Sequence, residues 1–206
     1  MTNEQQPPEQ PEERAEQATT PEHDTSVPPS IWVGSLADYN NGDLHGRWVD
    51  AARDPDDIHR DIRAMLASGP AAARGESPEE WGIFDHEGFG ALRIDQYESI
   101  DYVSRVARGI TEHGPAFAAW ADVMQDEELL DGFADAYLGH HDSLESYAEN
   151  WFDEAGYDRI LDHILPESIR RYVHLDAAAL AHDLSLSGDV HVLPADGGGV
   201  FVFQAT

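Results

Sequence analysis

Between Ala121 and Asp158 the chain places twelve Asp and Glu residues and neither Arg nor Lys. Any fold containing this segment must hold like charges side by side on its surface, because carboxylates are not buried without partners. The apolar spacing is helical. Over 143–155, Leu144, Tyr147, Ala148, Trp151, Phe152 and Ala155 share one face, while Glu145, Glu149 and Asp153 stack at i, i+4 and i+8 on the other. A helix predicted over 127–138 has the same design, with Leu130, Phe133 and Tyr137 turned one way and Glu128, Asp131 and Asp135 the other. Like charges at i, i+4 cost a helix roughly 0.2–0.5 kcal/mol per pair, and a single Lys would make each pair attractive. The sequence does not use that remedy here.

The bias extends to the whole chain. It has 41 acidic and 12 basic residues, the basic ones all Arg, for a formal charge of −29. Nucleic acid and anionic membrane would both be repelled, so neither is expected as a direct partner. Cysteine is absent, which excludes disulfides, thiolate metal sites, iron–sulfur clusters and thiol nucleophiles. Residues 1–29 are rich in Pro, Gln and Glu, with neither a basic n-region nor an apolar h-region, and no stretch has the roughly 18 apolar residues of a membrane span. A cytoplasmic protein is the expectation. The first 29 residues, with Val27 their one large aliphatic residue besides Met1, are expected to form a disordered acidic tail. Taking the tail's net −6 from −29 leaves −23 on residues 30–206, so the acidity belongs to the folded part.

That part is expected to open with a strand over 30–36, a turn at Asp38–Asp43 around Asn41-Gly42, and a returning strand at Arg47–Ala51. Asp54 followed by Pro55 reads as an N-cap and first helical residue, and Ile58, Ile62, Met65 and Leu66 continue that helix to Gly69-Pro70. A third strand is predicted at Glu80–Asp85. From Glu98 the period becomes 3.6, with Ile100, Val103, Ala107 and Ile110 on one stripe and Asp101 four residues before Arg105. Helices are predicted at 115–124, 127–138, 143–155, 167–173 and 176–184, followed by a hairpin of 189–193 and 200–203 around Asp196–Gly199. Strands, then helices, then strands indicate an α+β fold. The expected domains are a tail (1–29), an N-terminal α/β domain (30–97), a central helical domain (98–139) and a C-terminal α+β domain (140–206).

Carboxylates three or four residues apart on a helix lie about 5–6 Å from each other, close to the spacing of phosphates along one nucleic-acid strand. The array can therefore imitate a phosphate backbone. The candidate surface is Asp122, Asp126, Glu127, Glu128, Asp131, Asp135, Asp142, Glu145, Glu149, Asp153, Glu154 and Asp158. Duplex DNA carries a charge per about 1.7 Å, so the full negative charge corresponds to roughly 50 Å of duplex and calls for an elongated particle or a dimer.

Ile31–Asp50 (Ile-Trp-Val-Gly-Ser-Leu-Ala-Asp-Tyr-Asn-Asn-Gly-Asp-Leu-His-Gly-Arg-Trp-Val-Asp), Glu79–Phe89, Gly114–Phe117 and Tyr137–Gly139 agree in order and spacing with a known family. The chain resembles the ArdA antirestriction proteins from about Ser30 onward. Trp120–Asp131 resembles the family's antirestriction motif, which serves dimer contact as well as enzyme contact. The resemblance implies an elongated α+β fold of three small domains that forms a homodimer, has no catalytic activity and needs no cofactor. It also implies a partner, the DNA-binding groove of type I restriction-modification enzymes.

A different reading stands beside this one: an acidic metal-binding protein or hydrolase from a salt-adapted or composition-biased cell. His140-His141-Asp142, with His163 and His182, could contribute ligands, although neither HExxH nor an EF-hand loop is present. Asp196–Gly199, between two strands, reads as a turn and not as a phosphate cradle. Trp32, Trp48 and Trp81 fall on predicted strands and are expected in the core. For Trp120 and Phe117 a core position is favoured over dimer contact.

Overall fold

The structure, a computed structural model, describes residues 27–124 and 127–205, with Glu127 by its backbone only. Residues 1–26 of the expected tail lie outside this range, as does Asp126. Pro29 is buried, and its carbonyl accepts the Ala51 N–H at 3.0 Å.

An antiparallel sheet of order β2-β1-β3 comprises β1 (Ser30–Ser35), β2 (Gly46–Asp50) and β3 (Trp81–Glu87). Ile31 and Val33 alternate onto the face covered by α2 (Pro55–Ala67), which is capped by Asp54 and buries Ile58, Ile62, Met65 and Leu66, as expected. The tryptophans depart from expectation. Alternation sends Trp32 and its cross-strand neighbour Trp48 to the opposite face, where Trp48 is 43% exposed. Trp81, partly buried at the rim of the core, packs edge-on to His59. Trp32 lies over two glycines: a Cβ on Gly46 would sit 2.5 Å from its ring, and one on Gly34 2.7 Å. Two of the three glycines in the Ile31–Asp50 motif, Gly34 and Gly46, thus make room for one indole.

Asp38–Asp43 folds as a short helix, α1 (Leu36–Asn40), followed by a turn at Gly42, whose φ is +88°. Asp38 is fully buried, and its Oδ1 accepts the Ala71 N–H at 2.6 Å, capping α3 (Pro70–Ala73). Its Oδ2 has no hydrogen-bond partner among the described residues. Burial would raise the Asp38 pKa, but the hydrogen bonds from Ser35 and Ala71, with His45 and Arg74 nearby, bring it below the usual carboxylate value.

The core runs on through α4 (Ile100–His113) and α5 (Pro115–Met124) into the second sheet. That sheet, of order β4-β6-β5, consists of β4 (Tyr137–His141), β5 (Val190–Pro194) and β6 (Val200–Gln204). Trp120 and Phe117 are core residues, as favoured. Segment 127–138 is not the single helix predicted. Glu127–Gly132 is a 3₁₀ helix, α6 (Phe133–Ala136) adds one turn, and Tyr137 starts β4. The Trp120 indole N–H donates to the Leu129 carbonyl at 3.2 Å, the rings of Phe133 and Phe203 pack against Trp120, and Tyr137 packs in turn on Phe133 and Phe203, so tertiary contacts override helical periodicity here. The inward and outward assignments survive: Leu130 and Phe133 are buried, and Glu128, Asp131 and Asp135 are exposed.

Beyond β4 come α7 (Leu144–Ala155), α8 (Tyr157–Ile164), α9 (Glu167–Arg170) and α10 (Ala177–Ser187), with α10 packed on α7. The sequence reading did not anticipate α8. The hairpin β5–β6 turns at Asp196–Gly199 as expected, with φ of +95° and +80° at Gly198 and Gly199.

Two substitutions test these placements. Asp38→Asn should cost about 1–3 kcal/mol at neutral pH in denaturant unfolding, because an amide N–H₂ replaces the charged acceptor in a buried site. A carboxyl with a depressed folded pKa stabilises the fold above its unfolded pKa, about 3.9, and loses that contribution as pH falls through the folded value. The gap between wild type and Asp38→Asn should therefore close in acid and be constant above about pH 5. Gly46→Ala should displace the Trp32 ring and lower stability by about 1–3 kcal/mol, with a shift in tryptophan emission.

Candidate functional site

The acidic segment is held outward by elements whose other faces are anchored. Asp122 lies in the last turn of α5 next to buried Ala121, and Glu128, Asp131 and Asp135 ride on the short helices fixed by Leu130 and Phe133. On α7 the N-terminus is closed by a reciprocal capping box, Ser143 accepting from the Ser146 N–H while the Ser146 hydroxyl accepts from the Ser143 N–H. Gly156, left-handed at φ +68°, ends the helix. Between these caps Glu145, Glu149 and Asp153 form the expected exposed stripe, and Ala148 is fully buried opposite. The rest of the apolar face is shallower than the spacing suggested. Leu144, Tyr147 and Phe152 are half-buried, and Trp151 is 43% exposed.

Each of the ten candidate acids whose side chain is described is exposed: Asp122, Glu128, Asp131, Asp135, Asp142, Glu145, Glu149, Asp153, Glu154 and Asp158. The Glu127 side chain and all of Asp126 lie outside the described residues. The segment is less isolated from cations than its sequence implied, because the fold brings in Arg residues from elsewhere. Arg105 reaches Asp131 at 2.5 Å, rather than closing on Asp101 within its own helix. Arg170 holds Asp158 at 2.8 Å and Asp162 at 2.6 Å, and donates to the Val173 carbonyl at 2.9 Å. Among the described residues, Asp122, Asp135, Asp142, Glu145, Glu149, Asp153 and Glu154 have no ion-pair partner.

His140 and His141 do not form a ligand set. His140 Nε2 lies 2.9 Å from the Gly198 carbonyl, and His141 uses its ring nitrogens on the Leu138 carbonyl and the Asn150 amide, each at 3.3 Å. Among the described residues no group of three or more His, Asp or Glu comes together in a way that could hold a metal ion. No helix among them is long and apolar enough to cross a membrane. The sequence reading missed one feature of this region: Asp189, immediately before β5, shares a recess with Glu154. No local pattern could signal it, since the two lie 35 positions apart and are joined only by the fold.

Residues 31–197 match the family model described as antirestriction protein (ArdA). Among curated proteins no relative matches the chain.

The α7 stripe makes its own prediction. Replacing Glu145, Glu149 and Asp153 together by Gln, Gln and Asn should leave the far-ultraviolet spectrum unchanged. It should raise the thermal midpoint slightly, since two like-charge pairs of roughly 0.2–0.5 kcal/mol each are removed. Calorimetry at low salt checks this, and the gain should shrink as salt is added.

Proposed function

The chain belongs to the ArdA family of antirestriction proteins, and from that premise we propose that it inhibits type I restriction-modification enzymes by occupying their DNA-binding groove as a mimic of duplex DNA. The observation that carries this reading is the uniform exposure of the candidate acids, seven of them without an ion-pair partner among the described residues. A groove built to grip phosphates is lined by Arg and Lys, and it meets here an anionic surface held on capped, core-anchored elements. Attraction is long-range and distributed over Asp122, Asp126, Glu127, Glu128, Asp131, Asp135, Asp142, Glu145, Glu149, Asp153, Glu154 and Asp158. Asp131 and Asp158 contribute less, because Arg105 and Arg170 already offset their charge. No catalytic step is assigned to the chain, and its target places its action in the cytoplasm.

A homodimer completes the proposal. One protomer offers fewer charges than a long bound duplex presents, and a second copy would extend the array. Ile160 and Ile164 on α8, followed by Ile169 and Tyr172, are 48–70% exposed and suit coverage by a second copy.

Inhibition of DNA cleavage by a type I enzyme should weaken more than tenfold as salt rises from about 50 to about 200 mM, the behaviour of an interface dominated by charge. The Glu145/Glu149/Asp153 triple substitution should weaken it partially, since no single carboxylate is indispensable. An unrelated protein of equal net charge is the control: equal inhibition by both would overturn the shaped-mimic reading. Sedimentation should show a dimer at micromolar concentration, converted to monomer by Ile160→Asp with Ile164→Asp.

A further inference from the structure

A recess of about 410 Å³ opens between α7 and the end of the second sheet. Tyr147, Asn150, Trp151 and Glu154, at i, i+3, i+4 and i+7, line it from α7, His141 from β4 and Asp189 from the residue just before β5. These α7 residues lie opposite the Glu145–Glu149–Asp153 stripe, so Glu154 is an acid placed among aromatic rings. The wall is preorganised. The His141 ring meets Tyr147 edge-on at 5.1 Å and is fixed at both nitrogens by the Leu138 carbonyl and the Asn150 amide. Trp151 is braced from behind by Phe152 and Tyr157, at 5.8 and 5.5 Å. Neither the Glu154 nor the Asp189 carboxylate has an ion-pair or hydrogen-bond partner among the described residues. The Tyr147 hydroxyl has its pKa raised by burial and, to a lesser extent, by the charge of Glu154, which lines the same recess.

Aromatic faces and two exposed carboxylates without an ion-pair partner among the described residues, set around one recess, suit a flat cation. A guanidinium stacks on rings and presents a planar fork of N–H donors to carboxylates, whereas an ammonium is a strongly hydrated point charge that does neither. We propose that this recess receives an arginine side chain of the inhibited enzyme, stacked on Tyr147 and Trp151 and hydrogen-bonded to Glu154 and Asp189. The inference rests on the DNA-mimic reading and adds to it a short-range anchor: a phosphate-gripping groove supplies arginines, and an exposed Trp–Tyr recess is the kind of place where binding energy concentrates.

The test begins without the enzyme. The full chain is titrated with N-acetylarginine amide, N-acetyllysine amide and N-acetylcitrulline amide while the Trp151 indole N–H resonance is followed at about 0.3 M salt, where general charge attraction is screened. Saturable displacement by the arginine compound, about tenfold weaker binding of the lysine compound and none of the citrulline compound are expected. Glu154→Gln and Asp189→Asn should each weaken arginine binding several-fold, and Glu167→Gln, an equal loss of charge elsewhere, should not. Equal binding of arginine and lysine compounds, or binding indifferent to Glu154→Gln, would overturn the site.

The enzyme arm uses Trp151→Ala, which removes an exposed, uncharged ring. Inhibition should fall about tenfold while its dependence on salt stays that of wild type. Conversion of a wild-type dimer to monomer by Trp151→Ala would assign the recess to contact between copies and overturn its assignment to the enzyme. If arginine amide binds as described but the wild-type protein inhibits no type I enzyme, the DNA-mimic reading fails while the guanidinium site stands.

Discussion

Like-charge repulsion along the acidic segment has to be outweighed by apolar burial, and that burial centres on Phe133. The rings of His113, Phe117, Trp120, Tyr137 and Phe203 all lie 4.8–6.4 Å from it. Fully burying one such side chain contributes about 1.5–3 kcal/mol, whereas a like-charge pair on a helix costs roughly 0.2–0.5 kcal/mol. A few aromatic anchors therefore support a whole row of unpaired carboxylates. The same cluster joins α4, α5 and the second sheet, so the residues that position the acidic surface are those that hold the middle of the molecule together.

How much of this was legible follows from the same competition. Where apolar spacing coincided with strong local signals, the sequence reading and the structure agree. Asp54-Pro55 started α2, and the glycines of 196–199 turned the last hairpin. Reading failed where a distant partner decided the outcome. A helix over 127–138 satisfied the 3.6 period, but the Trp120 indole captured the Leu129 carbonyl and β6 recruited Tyr137–His141 as a strand. The β1 tryptophan was misplaced because strand alternation gives two faces without saying which one α2 covers. The glycines that accommodate Trp32 are adjacent to it in space, though Gly46 belongs to another strand. The acidic surface itself was readable because exposure of unpaired carboxylates is nearly obligatory, yet Arg105 and Arg170, which pair with it, came from outside the window that defined it.

Arginine without lysine gives this surface its character. Arg74 contacts Glu76, Asp43 and the buried Asp38, and Arg170 links Asp158, Asp162 and a backbone carbonyl. Each guanidinium has five donors but one charge, so it can tie several acceptors together while cancelling the charge of only one. Twelve such groups among 41 carboxylates can organise loops and helix junctions without approaching neutrality. A lysine-rich chain that achieved the same local bonding would need more cations, and each would subtract from the negative field of the surface. Structural cross-linking and an intact negative surface are compatible here because the scarce cations are multidentate.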